Sequence, residues 1–187
     1  MRNWINLCES AFGSTTSLFH GTGLDQFWMI YRAGHLEDGV YGENDGISLS
    51  RSFEVAMKFQ EHRVEEMGYS FFEYFDLGGP PADFSGVIFE FDRSQIANKL
   101  VAYDDFGVGV GGEGEEQEER YYGKLSLKHC IAMYLDPKSV NDFVSLASSA
   151  YKRHLDGNGL QNDYNPEFEQ ILRNALNDPR IRSLRNA

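Results

Sequence analysis

The segment 18-LFHGTG-23 places a histidine and two glycines directly after a short apolar run. Residues 15–20, TTSLFH, are rich in types that favour β-strands, and Gly21 and Gly23 are predicted to break that strand. A histidine at the end of a buried strand is either a hydrogen-bonded structural residue or a group that faces a ligand. The segments on its C-terminal side are needed to decide between these two roles.

Helical and strand patterns alternate after this segment. In 24-LDQFWMIYRAG-34 the apolar residues have helical spacing, and the last residue is the glycine that commonly ends a helix. In 47-ISLSR-51 two aliphatic residues alternate with two serines, which predicts a strand with one polar face. Ser52 is a candidate N-cap for a helix that continues to Gly68.

The remaining sequence predicts a cluster of strands and then two helices. The predicted strands cover residues 86–94, 99–105, 120–127 and 130–136, and the helices lie near 138–155 and 165–177. This order predicts the α+β class with a small curved or split sheet that Pro137 closes. We expect a single domain with an N-terminal helix at 1–14, a core at 15–137 and a helical C-terminal extension at 138–187.

Composition narrows the class of protein. The chain has 187 residues, a formal net charge of −12 and an aromatic content of 14%. The negative charge opposes nonspecific binding to nucleic acid and favours a basic protein partner. No apolar run reaches the roughly 18 residues of a membrane span, and residues 1–10 lack the features of a secretory signal. We therefore expect a cytoplasmic protein with reduced Cys8 and Cys130 and without a metal site.

Three places put chemically capable side chains beside apolar strands. They are the histidine segment at 20–22, the serine strand with its arginine at 48–51, and the glutamates of 113-EGEEQEE-119. Each has an ordinary structural interpretation, as a hydrogen-bonded histidine, a solvent-facing strand and a solvated acidic loop. Together they are the groups needed to hold NAD and to cleave its bond between nicotinamide and ribose.

The chemistry of that cleavage explains why these residue types matter. The bond breaks through a state that resembles an oxocarbenium ion, and a carboxylate near the ribose 2′-hydroxyl stabilises the positive charge on the sugar. A strand-end glycine lets the backbone approach the nicotinamide amide, because no Cβ blocks it. A neutral imidazole can bond to a ribose hydroxyl, and serine hydroxyls can orient the sugar and the carboxylate.

Three segments resemble the ADP-ribosyltransferase superfamily: 18-LFHGTG-23, 46-GISLSRSFEVAMKF-59 and 115-EEQEERYYGKLSLKHCIAMYLDP-137. The resemblance covers roughly residues 15–137 and implies a split, mostly β fold that binds NAD. Members carry a His or Arg at the end of the first strand, a Ser or Tyr on another strand, and a Glu at the entry of a late strand.

The resemblance implies a role for each residue of the first two motifs. His20 would bind a ribose hydroxyl of NAD, Gly21 would meet the nicotinamide carboxamide, and Thr22 would support the turn. Ser48 and Ser50 would line the nicotinamide and ribose side, and their alternation puts both hydroxyls on one face of the strand.

The third motif leaves three candidates for the catalytic carboxylate, which are Glu119, Glu118 and Glu116. Glu119 is our first choice because it lies closest to the strand that follows, and Glu118 would point to the opposite side of an extended chain. Arg51 either pairs with the NAD pyrophosphate or is a solvent-facing charge. The Gly-rich segment 107–114 lies where the superfamily has its substrate-recognition loop.

The second motif departs from the usual pattern, in which a first-motif His accompanies a Tyr rather than Ser-x-Ser. The first two motifs also resemble RNA 2′-phosphotransferases of the same superfamily, which need basic residues for the RNA phosphate. The acidic composition weighs against that alternative, so a nucleic-acid partner is not expected.

These observations lead to two expectations for function. The first is a mono-ADP-ribosyltransferase that transfers ADP-ribose from NAD to a macromolecular acceptor, with a protein as the target. The alternative is a catalytically degenerate protein of the same fold that binds and inhibits a basic partner. The size and composition fit a bacterial or bacteriophage effector, which would act in the host cytoplasm if phage-encoded.

Overall fold

A computed structural model of the chain describes residues 16–37, 46–67, 72–73, 76–102, 118–156 and 167–184. Within these ranges the protein is α+β, as the sequence predicts, with a mixed seven-stranded sheet, a two-stranded sheet and five α-helices. The predicted N-terminal helix at 1–14, the Gly-rich segment 107–114 and Glu116 lie outside the described residues. In the described part of the chain, no helix is long and apolar enough to cross a membrane.

The elements follow one another in an order that alternates strands and helices. The strands are β1 (Ser17–Thr22), β2 (His35–Leu36), β3 (Ile47–Ser50), β4 (Val87–Asp92), β5 (Leu100–Ala102), β6 (Glu118–Tyr121), β7 (Leu125–Ser126), β8 (Cys130–Leu135) and β9 (Ile181–Ser183). The helices are α1 (Leu24–Ala33), α2 (Phe53–Met67), α3 (Arg93–Ile96), α4 (Pro137–Asp156) and α5 (Glu167–Ala175).

The order of strands in the main sheet is β5-β6-β3-β1-β4-β8-β9, and β2 pairs with β7 in the small sheet. All neighbours in the main sheet are antiparallel except β8 and β9. β1 pairs with β4 along its whole length but meets β3 at the single pair Phe19–Ser50. The sheet is therefore continuous on the β4 side of β1 and nearly divided on the β3 side, at a place that we call the β1–β3 seam.

The two faces of β1 have different environments. On one face α2 crosses the strand, and the ring of Phe19 lies edge-on to that of Phe53, with 5.5 Å between centroids. On the other face Leu18 is fully buried in the main apolar core, which includes Phe89 and the α1 residue Phe27, with 5.8 Å between their rings. Because side chains alternate along a strand, His20 shares the core face.

Gly21 is where α2 comes closest to the sheet. A Cβ built on Gly21 would lie 2.1 Å from the backbone oxygen of Ala56, so only glycine fits here. The sequence predicted that Gly21 and Gly23 break the strand. For Gly21 this is wrong, because it pairs with Ile88 and β1 continues to Thr22; the strand does end before Gly23. Gly21 allows a helix to lie on the strand rather than ending it.

Several helix boundaries agree with the sequence. α1 ends at Gly34, which has the left-handed φ of 73° that favours glycine, and its N–H bonds to the carbonyl of Ile30. At the start of α2 the Ser52 hydroxyl accepts the Val55 N–H at 3.3 Å, which is the N-cap that was predicted.

The strand predicted at 120–127 is wrong in its limits. It begins earlier, at Glu118, and it is interrupted after Tyr121, so that two separate strands, β6 and β7, replace it. Gly123 lies in the interruption with a φ of 89°, which turns the chain from the main sheet to the small one. The earlier start puts both Glu118 and Glu119 inside a strand.

The predicted C-terminal helices are present, but Pro137 does not close the sheet. β9 joins the edge of β8 after both helices. Arg180, just before β9, donates two bonds to Asp178 and one to the carbonyl of Leu127 at 2.6 Å. Tyr31 of α1 also donates to Asp178, at 3.2 Å. This C-terminal segment is therefore integrated into the sheet and tied to α1.

Replacing Gly21 with Ala should destabilise the protein by at least about 2 kcal/mol, because the methyl group would overlap a backbone carbonyl that cannot rotate away. Gly34→Ala is a suitable control, because a Cβ at this position would meet no other atom. Only the positive φ opposes alanine there, and this should cost about 1 kcal/mol of stability. Chemical denaturation measures both. A Gly21 variant no less stable than the Gly34 variant would contradict the packing described here.

The Asp178–Arg180 pair should make stability depend on pH. Hydrogen bonds from Arg180 lower the pKa of Asp178 from 3.8 to about 2. A lowered folded-state pKa contributes stability above pH 3.8, and this contribution is lost as the pH falls towards 2. In denaturation experiments, the difference in the free energy of unfolding between wild type and Asp178→Asn should become smaller as the pH falls over that range. A difference that does not change with pH would contradict this assignment.

Candidate functional site

His20 lies on β1 at the β1–β3 seam. Its Nδ1 is 2.9 Å from the backbone oxygen of Ser48 on β3. Because a carbonyl only accepts, Nδ1 must carry the proton in this bond. Among the described residues no group bonds to Nε2, so in a neutral ring this nitrogen is a free acceptor.

The surroundings of His20 favour the neutral ring. Burial lowers the pKa of His20 below its ordinary value of 6.5, and the nearby positive charge of Arg63 lowers it further. The bond to the Ser48 carbonyl acts in the opposite direction and is weaker than the effect of burial. The core side of the ring faces Phe89, at 6.4 Å between centroids. His20 is thus a neutral, oriented imidazole that bridges the two strands where their ladder stops.

Gly21 and Thr22 are placed mainly by packing. The side of Gly21 that lacks a Cβ faces α2, so the close approach it permits is to a helix. Thr22 is buried. A Cβ built on Gly86 would lie only 2.1 Å from the carbonyl oxygen of Thr22. Gly21 therefore has a structural reason for its identity that is independent of any ligand, and the contact of the Thr22 carbonyl gives Gly86 a similar reason.

Ser48 and Ser50 share a face of the sheet with Glu118 and Arg120. The register pairs Ser48 with Arg120 and Ser50 with Glu118. The Ser50 hydroxyl is buried and accepts the N–H of Ser52 at 3.0 Å, so it stabilises the turn into α2. The Ser48 hydroxyl has no hydrogen-bond partner among the described residues, which leaves it available to a ligand.

Glu118 forms an ion pair with Arg120, at 2.7 Å between Oε1 and Nε. Both side chains are partly shielded, with 14% and 19% of their surface exposed. Arg120 also donates to the carbonyl of Gly46 at 3.4 Å. The result is a carboxylate and a guanidinium next to the Ser48 hydroxyl, on two neighbouring strands.

Glu119 lies on the opposite face and is held by two arginines. Arg51 donates to its Oε1 at 2.6 Å through Nε and also contacts it through a second nitrogen. Arg93, at the start of α3, contributes bonds of 3.0 and 3.2 Å to the two carboxylate oxygens. The side chains of Glu119 and Arg51 are each only 3% exposed. We call this group the Arg51–Glu119–Arg93 cluster.

The cluster connects three strands at one end of the seam. Arg51 follows β3, Glu119 belongs to β6, and Arg93 follows β4 and donates its backbone N–H to Thr16 beside β1. Two guanidinium groups compensate one carboxylate, so the ions are paired as buried charges require. Arg51 was predicted either to bind pyrophosphate or to face solvent; it is buried against Glu119, so it does not face solvent.

The sheet register divides the sequence-derived candidates into two groups. Glu119 is opposite Leu49 and shares the core face with His20, whereas Glu118 shares the other face with both serines. The expected opposition of the two glutamates is confirmed, and each lies on a different face of the sheet. Arg93 and Arg120 were not identified from the sequence. The alternation of β6 could have indicated Arg120, but Arg93 depends on a pairing between distant strands.

Comparison with known proteins adds no family assignment, because no protein-family model, curated protein or solved structure matches the chain.

Glu119→Gln should lower the free energy of unfolding by about 3–5 kcal/mol, because it removes the buried carboxylate charge to which Arg51 and Arg93 both donate. Glu118→Gln is the matched control on the same strand, and its loss should be smaller because Glu118 has one arginine partner and is more exposed. Urea denaturation of the two variants makes the comparison. Equal free energies of unfolding for the two variants would show that the Arg51–Glu119–Arg93 cluster does not hold β3, β4 and β6 together.

Proposed function

We propose that the protein is a mono-ADP-ribosyltransferase that uses NAD and modifies a protein acceptor. The observation that carries the proposal is the arrangement of the three motif-bearing strands. They are neighbours in the order β6-β3-β1, and His20 bonds to Ser48 across the seam. The resemblance in sequence comes from segments far apart in the chain, so their adjacency in the sheet is support that the sequence alone did not contain.

His20 would orient the ribose. With Nδ1 donating to the Ser48 carbonyl, Nε2 can accept a hydrogen bond from a ribose hydroxyl. The ring is fixed on one side by a backbone group, so little conformational entropy is lost when the sugar binds. The depressed pKa keeps the acceptor nitrogen unprotonated at neutral pH.

Glu118 is the better choice for the catalytic carboxylate, in place of Glu119. Glu119 has both oxygens engaged by arginines and is shielded from solvent. Glu118 lies on the face of the free Ser48 hydroxyl and has one arginine partner; this face is opposite to that of His20, so NAD would meet both groups across the β1–β3 seam. Its charge would stabilise the oxocarbenium-like sugar as the bond from C1′ to nicotinamide breaks. Glu119 would then be a positioning residue that holds β6 in register.

The transfer itself needs no further reactant. The electron pair of the glycosidic bond leaves with nicotinamide, which departs as a neutral molecule. A nucleophile of the acceptor protein then bonds to C1′ and loses its proton to solvent or to a carboxylate. With water in place of the acceptor, the same steps hydrolyse NAD, which gives a convenient assay.

The alternative is a catalytically degenerate protein that binds a basic partner. The engagement of Glu119 by two arginines and the net charge of −12 favour it. On this alternative neither NAD nor His20 matters, and binding to the partner weakens as salt screens the charges.

Nicotinamide release from NAD, measured by liquid chromatography, tests the proposal. Wild type should release nicotinamide, and NAD should raise its melting temperature. Glu118→Gln should lower the rate by at least about a hundredfold, as removal of one transition-state contact does, while the melting temperature changes little. His20→Ala should lose the NAD-dependent rise in melting temperature.

Glu119→Gln is the control variant, assayed below its own melting temperature. It should retain more activity than Glu118→Gln although it is less stable. If Glu119→Gln alone abolishes release while folded, the choice of Glu118 is wrong. If wild type neither binds NAD nor releases nicotinamide, the transferase proposal fails and the binding alternative gains support.

A further inference from the structure

A second polar group lies on the α2 face of the sheet, on β4 and β8 rather than on the strands β3 and β6 that carry Ser48 and Glu118. Glu90 of β4 accepts a hydrogen bond from the Ser17 hydroxyl at 2.6 Å and another from the Tyr134 hydroxyl at 2.8 Å. All three side chains are partly exposed. Each carboxylate oxygen can accept more than one bond, so both retain capacity for a further donor.

The charge of Glu90 has no cationic counterpart in the described part of the chain. No lysine, arginine or histidine nitrogen of these residues lies within ion-pair distance of it, although thirteen other ion pairs are present. Arg182 is opposite Tyr134 in the β8–β9 pair, but it donates to the carbonyls of Pro179 and Ile181, each at 2.8 Å. Ser17 and Tyr134 each donate one hydrogen bond to Glu90, and no described residue forms an ion pair with its charge.

Aromatic rings lie next to this carboxylate. Phe53, the first residue of α2, is edge-on to Tyr134 with 5.0 Å between centroids, and it contacts Phe19 in the same way. Phe19 is directly opposite Glu90 in the β1–β4 pair. These rings are partly exposed, so they offer an apolar surface beside a negative charge.

We infer that Glu90, Ser17, Tyr134, Phe19 and Phe53 form a binding site for an arginine side chain of a protein partner. A guanidinium is planar, so it can donate two parallel hydrogen bonds to a carboxylate while it stacks on an aromatic ring. An ammonium is not planar, so it cannot donate two parallel bonds to the carboxylate while it stacks flat on a ring. The net charge of −12 favours approach of a basic partner. This site is independent of NAD and of the proposed transferase activity.

The test is an NMR titration with acetyl-glycyl-arginyl-glycine amide at low salt. We expect progressive shifts of the backbone amide signals at Ser17, Phe53, Glu90 and Tyr134. The same peptide with citrulline, which has the shape of arginine without its charge, should produce no such shifts. Equal shifts with the peptide that carries lysine in place of arginine would overturn the assignment of this site to a guanidinium.

Glu90→Gln should bind the arginine peptide at least about tenfold more weakly, because a charged hydrogen-bond acceptor is lost. Glu61→Gln is the matched control: it removes the same charge from an exposed position of α2 and should bind like wild type. Phe53→Leu, which keeps Glu90 and removes the ring, should weaken binding about threefold or more. Unchanged binding by Glu90→Gln, or equal weakening by Glu61→Gln, would overturn the proposal.

Discussion

The contact between the Ala56 carbonyl and Gly21 is the constraint on which the arrangement of the sheet depends. With no Cβ in the way, α2 lies directly on β1, and the alternation of side chains then fixes His20 on the other face. The strand continues along β4 but has almost no ladder with β3, so a side chain rather than a backbone amide bonds to the Ser48 carbonyl. The orientation of the candidate histidine is therefore a consequence of helix packing at the next residue of the strand.

The buried charges have a complementary role at the other end of the seam. Beside the single pair of β1 with β3, the Arg51–Glu119–Arg93 cluster holds β3, β6 and β4 together through side chains. A glutamate used in this way is not free for chemistry, while its neighbour Glu118 faces the serines. Adjacent residues of one strand thus have different roles because they point to different sides of the sheet.

Local patterns in the sequence predicted the parts of the fold that local energetics decide. The helix ending at Gly34, the N-cap at Ser52 and the alternation in β3 depend on neighbouring residues, and all three are present. The role of Gly21 and the pairing of Arg93 with Glu119 depend on contacts between distant segments, which no single-sequence pattern contains. For the same reason, the sequence identified both glutamates but not which of them would be enclosed.

The parallel pairing of β9 with β8 sets the order in which the sheet can be completed. Met133 pairs with Ile181, so the chain must close a long loop containing two helices before this pair forms. Closure of a long loop costs entropy and slows folding, so we expect β9 to dock late. Until then the unpaired edge of β8, with the exposed Ile131, can recruit strands from other chains during synthesis. The last strand of the sheet thus acts as an internal protection against aggregation.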